Sequence, residues 1–170
     1  MSKARLLSDN NAREERWVEE QRKKVEDYLQ RERADHLGIG EYPAFHVYPY
    51  VALWAVQSKK SPGWVGWWAI SGDLPTDHIS SSEGRHPREA MRAFSRHWRD
   101  VSASMLRGQE HPDCSIGTPD QWPELGDLLR RRAEILQTYA DDEIWGEEWA
   151  PKITGTAAQP PTHRSAPRQR

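Results

Sequence analysis

The stretch Trp64-Val-Gly-Trp-Trp-Ala-Ile-Ser-Gly-Asp-Leu-Pro-Thr-Asp-His78 packs three of the chain's nine tryptophans into five residues, then turns polar. Tryptophan carries a large apolar surface and one N–H that needs a partner, so such a cluster is either a core pillar or a recognition surface. Just upstream, Ser58-Lys-Lys-Ser-Pro-Gly63 is a turn signal through its Pro-Gly pair. Before the turn, Pro43 to Gln57 carries Tyr48, Tyr50, Val51, Leu53, Trp54 and Val56, residue types that suit a pleated surface. The three pieces predict a β-hairpin whose return strand is Trp64 to Ile70. Both faces of that strand, Trp64/Gly66/Trp68/Ile70 and Val65/Trp67/Ala69, are apolar, which departs from the alternation of a half-exposed sheet. Either helices cover both faces or one face meets another protein.

Working outward, a charged stretch from Asn11 to Arg33 places Trp17, Val18, Gln21, Val25, Tyr28 and Leu29 within an arc of roughly 120°. This is an amphipathic helix, ended by Gly38 and Gly40. Downstream of the hairpin, Ser71 to Gly84 reads as a polar loop. Pro87 then suits a first helical position, with Glu89 near the positive end of the helix. That helix, to about Leu106, gathers Ala90, Met91, Phe94, Trp98, Val101 and Met105 on one side. Arg88, Arg92, Arg96 and Arg99 form a separate stripe, centred well away from the apolar one. A last helix from Pro119 or Asp120 to about Tyr139 is expected to bury Trp122, Leu125, Leu128, Leu129, Leu136 and Tyr139. The fold class is therefore α+β: a small antiparallel hairpin or sheet against about three helices, in the order α-β-β-α-α. The expected organisation is a flexible N-terminus over 1–10, a single domain over 11–150, and a disordered Pro/Thr/Ala/Arg-rich tail over 151–170.

Hydrophobic residues make up 36% of the 170, charged residues 29%, and the net charge is −2, so no bulk electrostatic attraction to nucleic acid is available. The charge is uneven along the chain. Between Arg85 and Arg107 six arginines stand against Glu89 and Asp100; between Glu110 and Ala150 eleven acids stand against Arg130, Arg131 and Arg132. A lone Cys114 excludes an internal disulfide and a multi-cysteine zinc site. The N-terminus has no apolar run of signal-peptide length and no segment reaches transmembrane length, so the expected setting is the cytoplasm, away from any membrane.

The run Trp67-Trp-Ala-Ile-Ser-Gly-Asp-Leu-Pro-Thr-Asp-His-Ile79, with His86-Pro-Arg-Glu-Ala90 and Trp98, resembles a small bacterial family of uncharacterised cytoplasmic proteins sharing a WWxISGDLPTDxI-like motif. Gln21-Arg-Lys-Lys-Val25, Tyr28-Leu29 and Pro49-Tyr-Val-Ala-Leu-Trp54 are similar to it as well. The resemblance covers roughly residues 15 to 140, domain-sized in the usual sense. It implies a compact bacterial cytoplasmic protein and brings no reaction, cofactor or catalytic residue.

Three constellations could carry function. Asp73, Asp77 and His78, near Glu83 and His86, join carboxylates and imidazoles that could bind a metal or move protons. They lack a known ligand spacing, and Asp73 closing a turn with Thr76 or Asp77 capping a helical turn explains them more simply. The arginine stripe could grip carboxylates or phosphates, or pair with the chain's own acidic segment. Among the tryptophans, Trp98 and Trp122 fall on core stripes; Trp64, Trp67, Trp145 and Trp149 suit an interface, where tryptophan and arginine concentrate binding energy. Ser80, Ser81 and Ser82 lack a nucleophile elbow and Cys114 has no evident base beyond His111. The sequence thus points to a non-catalytic cytoplasmic binding module without cofactor or metal, using Arg88, Arg92, Arg96, Arg99, Trp64, Trp67, Trp145 and Trp149. Its partner would be another protein, acidic in one version, and the module would be an immunity or accessory protein. The alternative is a small enzyme or metal-binding protein using Asp73, Asp77 and His78. A homodimer joined through the hairpin edge is a further possibility.

Overall fold

The computed structural model describes residues 3–114, 116–142 and 145, with side chains from residue 8 onward. The elements are α1 (Lys3–Arg31), β1 (His36–Ile39), β2 (Phe45–Val47), β3 (Val51–Ser58), β4 (Val65–Gly72), β5 (Asp77–Ser80), a short 3-10 turn (Ser81–Glu83), α2 (Pro87–Leu106) and α3 (Trp122–Asp141). The architecture is α+β with an antiparallel sheet, as the sequence predicts. The described residues divide into two compact units, one running to Ser82 and one starting at Glu83.

In the first unit the β3–β4 hairpin lies at the centre of a five-stranded sheet of order β1-β3-β4-β5, with β2 also paired to β3. β1 and β2 lie along the same edge of β3: Gly40 N–H donates to Ala55 O (3.0 Å) and Ala44 N–H to Leu53 O (2.7 Å). Glu41, Tyr42 and Pro43 therefore bow outward opposite the single residue Trp54, a wide interruption that leaves Tyr42 exposed. The continuous strand expected over Pro43–Gln57 is broken at Tyr48–Pro49, whose peptide bond is cis, into β2 and β3. The polar segment after β4 is not all loop, because Asp77–Ser80 pairs with Trp67–Ile70 as β5. Asp77 thus starts a strand and does not cap a helical turn. Both hairpin strands have partners on each side, so among the described residues the edges of the sheet are formed by β5 and by β1–β2.

Six successive residues of β3, Val51 to Val56, are buried, so both faces of the sheet are covered. On one face Ala52, Trp54, Val56, Ala69 and Ile39 pack with Val18, Val25 and Leu29 of α1. Trp54 Nε1–H donates to the buried Ser71 Oγ (3.2 Å), which answers the one polar demand of a fully buried indole. Trp68, Leu53 and Ile70 are equally buried on the opposite face. A bulge at Gly66 sets this arrangement: Val56 pairs with Trp67 but Gln57 pairs with Val65. Directly paired residues share a face, so Val65 lies on the other face from Trp67 and Ala69, contrary to the simple alternation read from the sequence. The Gly66 backbone approaches Ser58 so closely that a Cβ would sit 2.8 Å from Ser58 Cα.

α1 begins at Lys3, earlier than the expected Asn11. Its charged side chains then reach the sheet: Arg22 donates to Gly40 O and Ile39 O (3.1 Å each), and Lys24 to Gly72 O (3.4 Å). Gly72, at φ +135°, must be glycine, since a Cβ there would lie 2.2 Å from Tyr50 O.

In the second unit α2 has the predicted bounds. Its entry is a capping box: His86 Nδ1 accepts from Arg88 N–H (3.0 Å), and Glu89 Oε2 accepts from His86 N–H (3.3 Å) and Arg85 N–H (2.8 Å). α3 starts at Trp122, slightly later than expected, and buries Leu129 and Leu136 as expected, together with Gly126, Ala133 and Ala140. Leu128 is 45% exposed and Trp122, Leu125 and Tyr139 are only partly covered, against the expectation that all would be core. The reason is close helix packing. Ser95 Oγ donates to Ala133 O and Ser102 Oγ to Gly126 O (2.7 Å each), while Arg88 Nε donates to Ala140 O (2.6 Å). Donors seven apart on α2 meet carbonyls seven apart on antiparallel α3, two turns per rung. Only small residues let the backbones approach this far.

Candidate functional site

The arginine stripe of α2 is divided by the end of α3. Arg88 is drawn onto Ala140 O, and Arg92 forms an ion pair with Asp141 (3.1 Å). Asp141 also accepts from Gln137 Nε2 (2.9 Å); that bond first, then the bond to Arg92, holds its carboxyl below the usual range. Arg96 and Arg99 are exposed and form no ion pair among the described residues. Along α3, Arg130 bridges Asp127 (2.7 Å) and Glu134 (2.8 Å), and Arg131 also bridges Asp127 (2.6 Å). The hydrogen bond from Arg130 is the main cause that lowers the Asp127 carboxyl. The stripe thus ties one half to the end of α3 and leaves the other half exposed.

The tryptophans sort similarly. Trp64 precedes β4 at the hairpin turn and is 45% exposed. Trp67 is half-buried on the α1 side of the sheet, where it donates to Asp35 O (3.3 Å) and meets the His78 ring edge-on at 5.3 Å. Trp145 donates to Tyr139 O (2.8 Å) and lies edge-on to His86 at 5.8 Å. Trp149 lies outside the described residues.

The polar constellation is assembled differently from its sequence spacing. Asp77 and His78 meet, but their third member is Tyr28 of α1, not Asp73. The Tyr28 hydroxyl stands 3.4 Å from Asp77 Oδ1 and 3.2 Å from His78 Nδ1. Asp77 Oδ1 also accepts the His78 backbone N–H (2.8 Å). A hydroxyl can donate to the carboxylate while accepting from the imidazole, so the three form a short relay that also ties α1 to β5. Asp73 instead sits in the turn after Gly72, its N–H bonded to Tyr50 O (2.8 Å). Sequence reading missed Tyr28 because it lies on a core stripe fifty positions away; the signal was a tyrosine hydroxyl at the rim of that stripe, which needs a polar partner. Among the described residues no three His, Cys, Asp or Glu side chains come together to hold a metal ion.

The fold is α+β, with a polar relay in the first unit and two exposed arginines on α2 in the second. The chain belongs to a family defined by a domain of unknown function, DUF4826, whose model spans residues 11–145. No curated protein matches the chain, and no solved structure does.

Proposed function

We propose that this chain is a non-catalytic protein-binding module that engages an acidic partner through the Arg96–Arg99 side of α2. The observation that carries this reading is the division of the stripe. Arg88 and Arg92 are used to hold α3, whereas Arg96 and Arg99 stand exposed on a rigid helix. Guanidinium forks fixed on a helix bind carboxylates with both charge and geometry. In this reading the protein works in the bacterial cytoplasm as an immunity or accessory protein that blocks its partner. Among the described residues no helix is long and apolar enough to cross a membrane.

A second reading rests on the Tyr28–Asp77–His78 relay, which would suit proton transfer in a small enzyme. One experiment separates the two. The partner recovered with the tagged protein from its host is titrated against wild type, R96E/R99E and H78A. The binding reading expects R96E/R99E to weaken Kd at least about tenfold, roughly 1.4 kcal/mol, with Tm unchanged and H78A near wild type. Binding intact in R96E/R99E and lost in H78A would move the site to the relay.

A further inference from the structure

The sheet unit carries an aromatic cluster on its surface, apart from the Tyr28 relay. Tyr48, Pro49 and Tyr50 form an exposed turn between β2 and β3, closed by Tyr50 N–H donating to Val47 O (2.7 Å). Trp17 of α1 meets Tyr48 edge-on at 5.5 Å and the His46 ring at 6.4 Å, and His46 Nε2 bonds Glu14 (2.8 Å). Tyr50 is 54% and Tyr48 38% exposed, while Trp17 is half-buried and anchored against the core on its inner side. Consecutive exposed rings beside an indole make a contiguous patch, and such patches mark contact sites. The charged residues three or four positions from Trp17 on α1 are Arg13, Glu14 and Glu20. Glu20 is exposed and forms no ion pair among the described residues.

We infer that residues 160–170 of the chain itself dock on this cluster as a polyproline II segment. Residues 146–170 lie outside the described residues, and it is their sequence that supplies the match. Residues 151–170 hold four prolines, Lys152, Arg164, Arg168 and Arg170, and no acid. A polyproline II helix has three residues per turn, so Pro161, Arg164, Pro167 and Arg170 share one edge, proline and arginine alternating about 9 Å apart. Proline rings pack on the faces of tyrosine and tryptophan, which is how aromatic grooves read Pro-rich segments. An arginine one step along that edge then finds the Trp17 indole for its guanidinium plane and Glu20 for its charge. The tether suffices. The fourteen residues from Gly146 to Gln159 extend to at most about 50 Å, against roughly 30 Å for a helix of twenty residues. Tethering also makes docking intramolecular, so a contact too weak to hold a separate peptide can hold this one. The inference concerns a different surface from the Arg96–Arg99 face and stands without it.

The probe is a nitroxide on Ala166→Cys, off the docking edge, in the full chain carrying Cys114→Ser. The amide signals of Val47, Tyr50 and Val51 and the indole signal of Trp17 should lose intensity relative to the reduced label, at concentrations where light scattering shows a monomer. Tyr50→Ala, Pro161→Gly/Pro167→Gly and Arg164→Glu/Arg170→Glu should each restore those signals and leave Tm unchanged. A fluorescent peptide of residues 158–170 should bind the Pro161→Gly/Pro167→Gly chain at least about tenfold more tightly than the wild type, whose own segment holds the site. Several results would overturn the inference. One is intact signals with the nitroxide in place; another is a loss of intensity that appears only as a dimer forms. A loss abolished by Arg164→Glu/Arg170→Glu but not by Tyr50→Ala or the glycine pair would place the segment on an acidic surface instead. Equal peptide affinity for the two chains would show that nothing occupies the cluster.

Discussion

The two units fill their interiors by opposite means. The sheet unit uses bulk: Trp54 and Trp68 are wholly buried on opposite faces, Trp54 in one cluster with Val18, Val25, Leu29, Ile39 and Val56. The helical unit uses closeness: Gly126, Ala133 and Ala140 bring α3 near enough for Ser95, Ser102 and Arg88 to bond its backbone. In the first, stability comes from apolar area removed from water and from dense contact. In the second, it comes also from backbone approach and hydroxyl donors whose desolvation is answered by carbonyls. The lesson is that a chain with only 36% hydrophobic residues can still build two interiors, if one of them needs little side-chain volume.

The contrast can be broken most forcefully at Trp54. Trp54→Ala should cost about 3–5 kcal/mol in urea unfolding, because the cavity is large and Ser71 loses its indole partner. A cost below about 2 kcal/mol would mean that α1 settles into the gap, and that bulk is not what holds this unit. The helical unit should respond to the reverse change. Ala133→Leu should destabilise by about 1–3 kcal/mol through overpacking, although it adds apolar surface. A stabilised variant would show that α2 and α3 are not limited by closeness. The finest test is Ser95→Ala, which removes one rung and should cost about 1 kcal/mol, since the Ala133 carbonyl keeps its place in the helix ladder. Additive losses in Ser95→Ala/Ser102→Ala would make the rungs independent; a loss greater than the sum would make them one cooperative feature.

The same contrast explains what could be read from the sequence. Aromatic and β-branched residues on either side of the Pro-Gly turn make the β3–β4 hairpin legible, and Pro87 with Glu89 marks the start of α2. β5 escaped because Asp-His-Ile-Ser has no strand composition of its own; it is recruited by the edge of β4. β1 escaped because Gly38 and Gly40 read only as helix terminators. On α3 the eye follows leucines, yet the buried seam is set by glycine and alanine, so Leu128 and Tyr139 were misplaced. The arginine stripe was visible as a stripe, but its division depends on where Ala140 and Asp141 arrive, some fifty residues on. The relay was half visible for the same reason: Asp77 and His78 adjoin in sequence, whereas Tyr28 joins them only through the packing of α1.

The rungs between α2 and α3 also restrict how this chain can change in length. Inserting or deleting one residue between Arg88 and Ser102, or between Gly126 and Ala140, rotates part of a helix by about 100° and takes donors away from their carbonyls. A step of seven, by contrast, misses the alignment by only about 20°. The stretch from Arg107 to Gln121 lies outside the ladder and is free of that rule. The two helices therefore behave like a reading frame written in space, in which substitutions are negotiable and single-residue insertions are not.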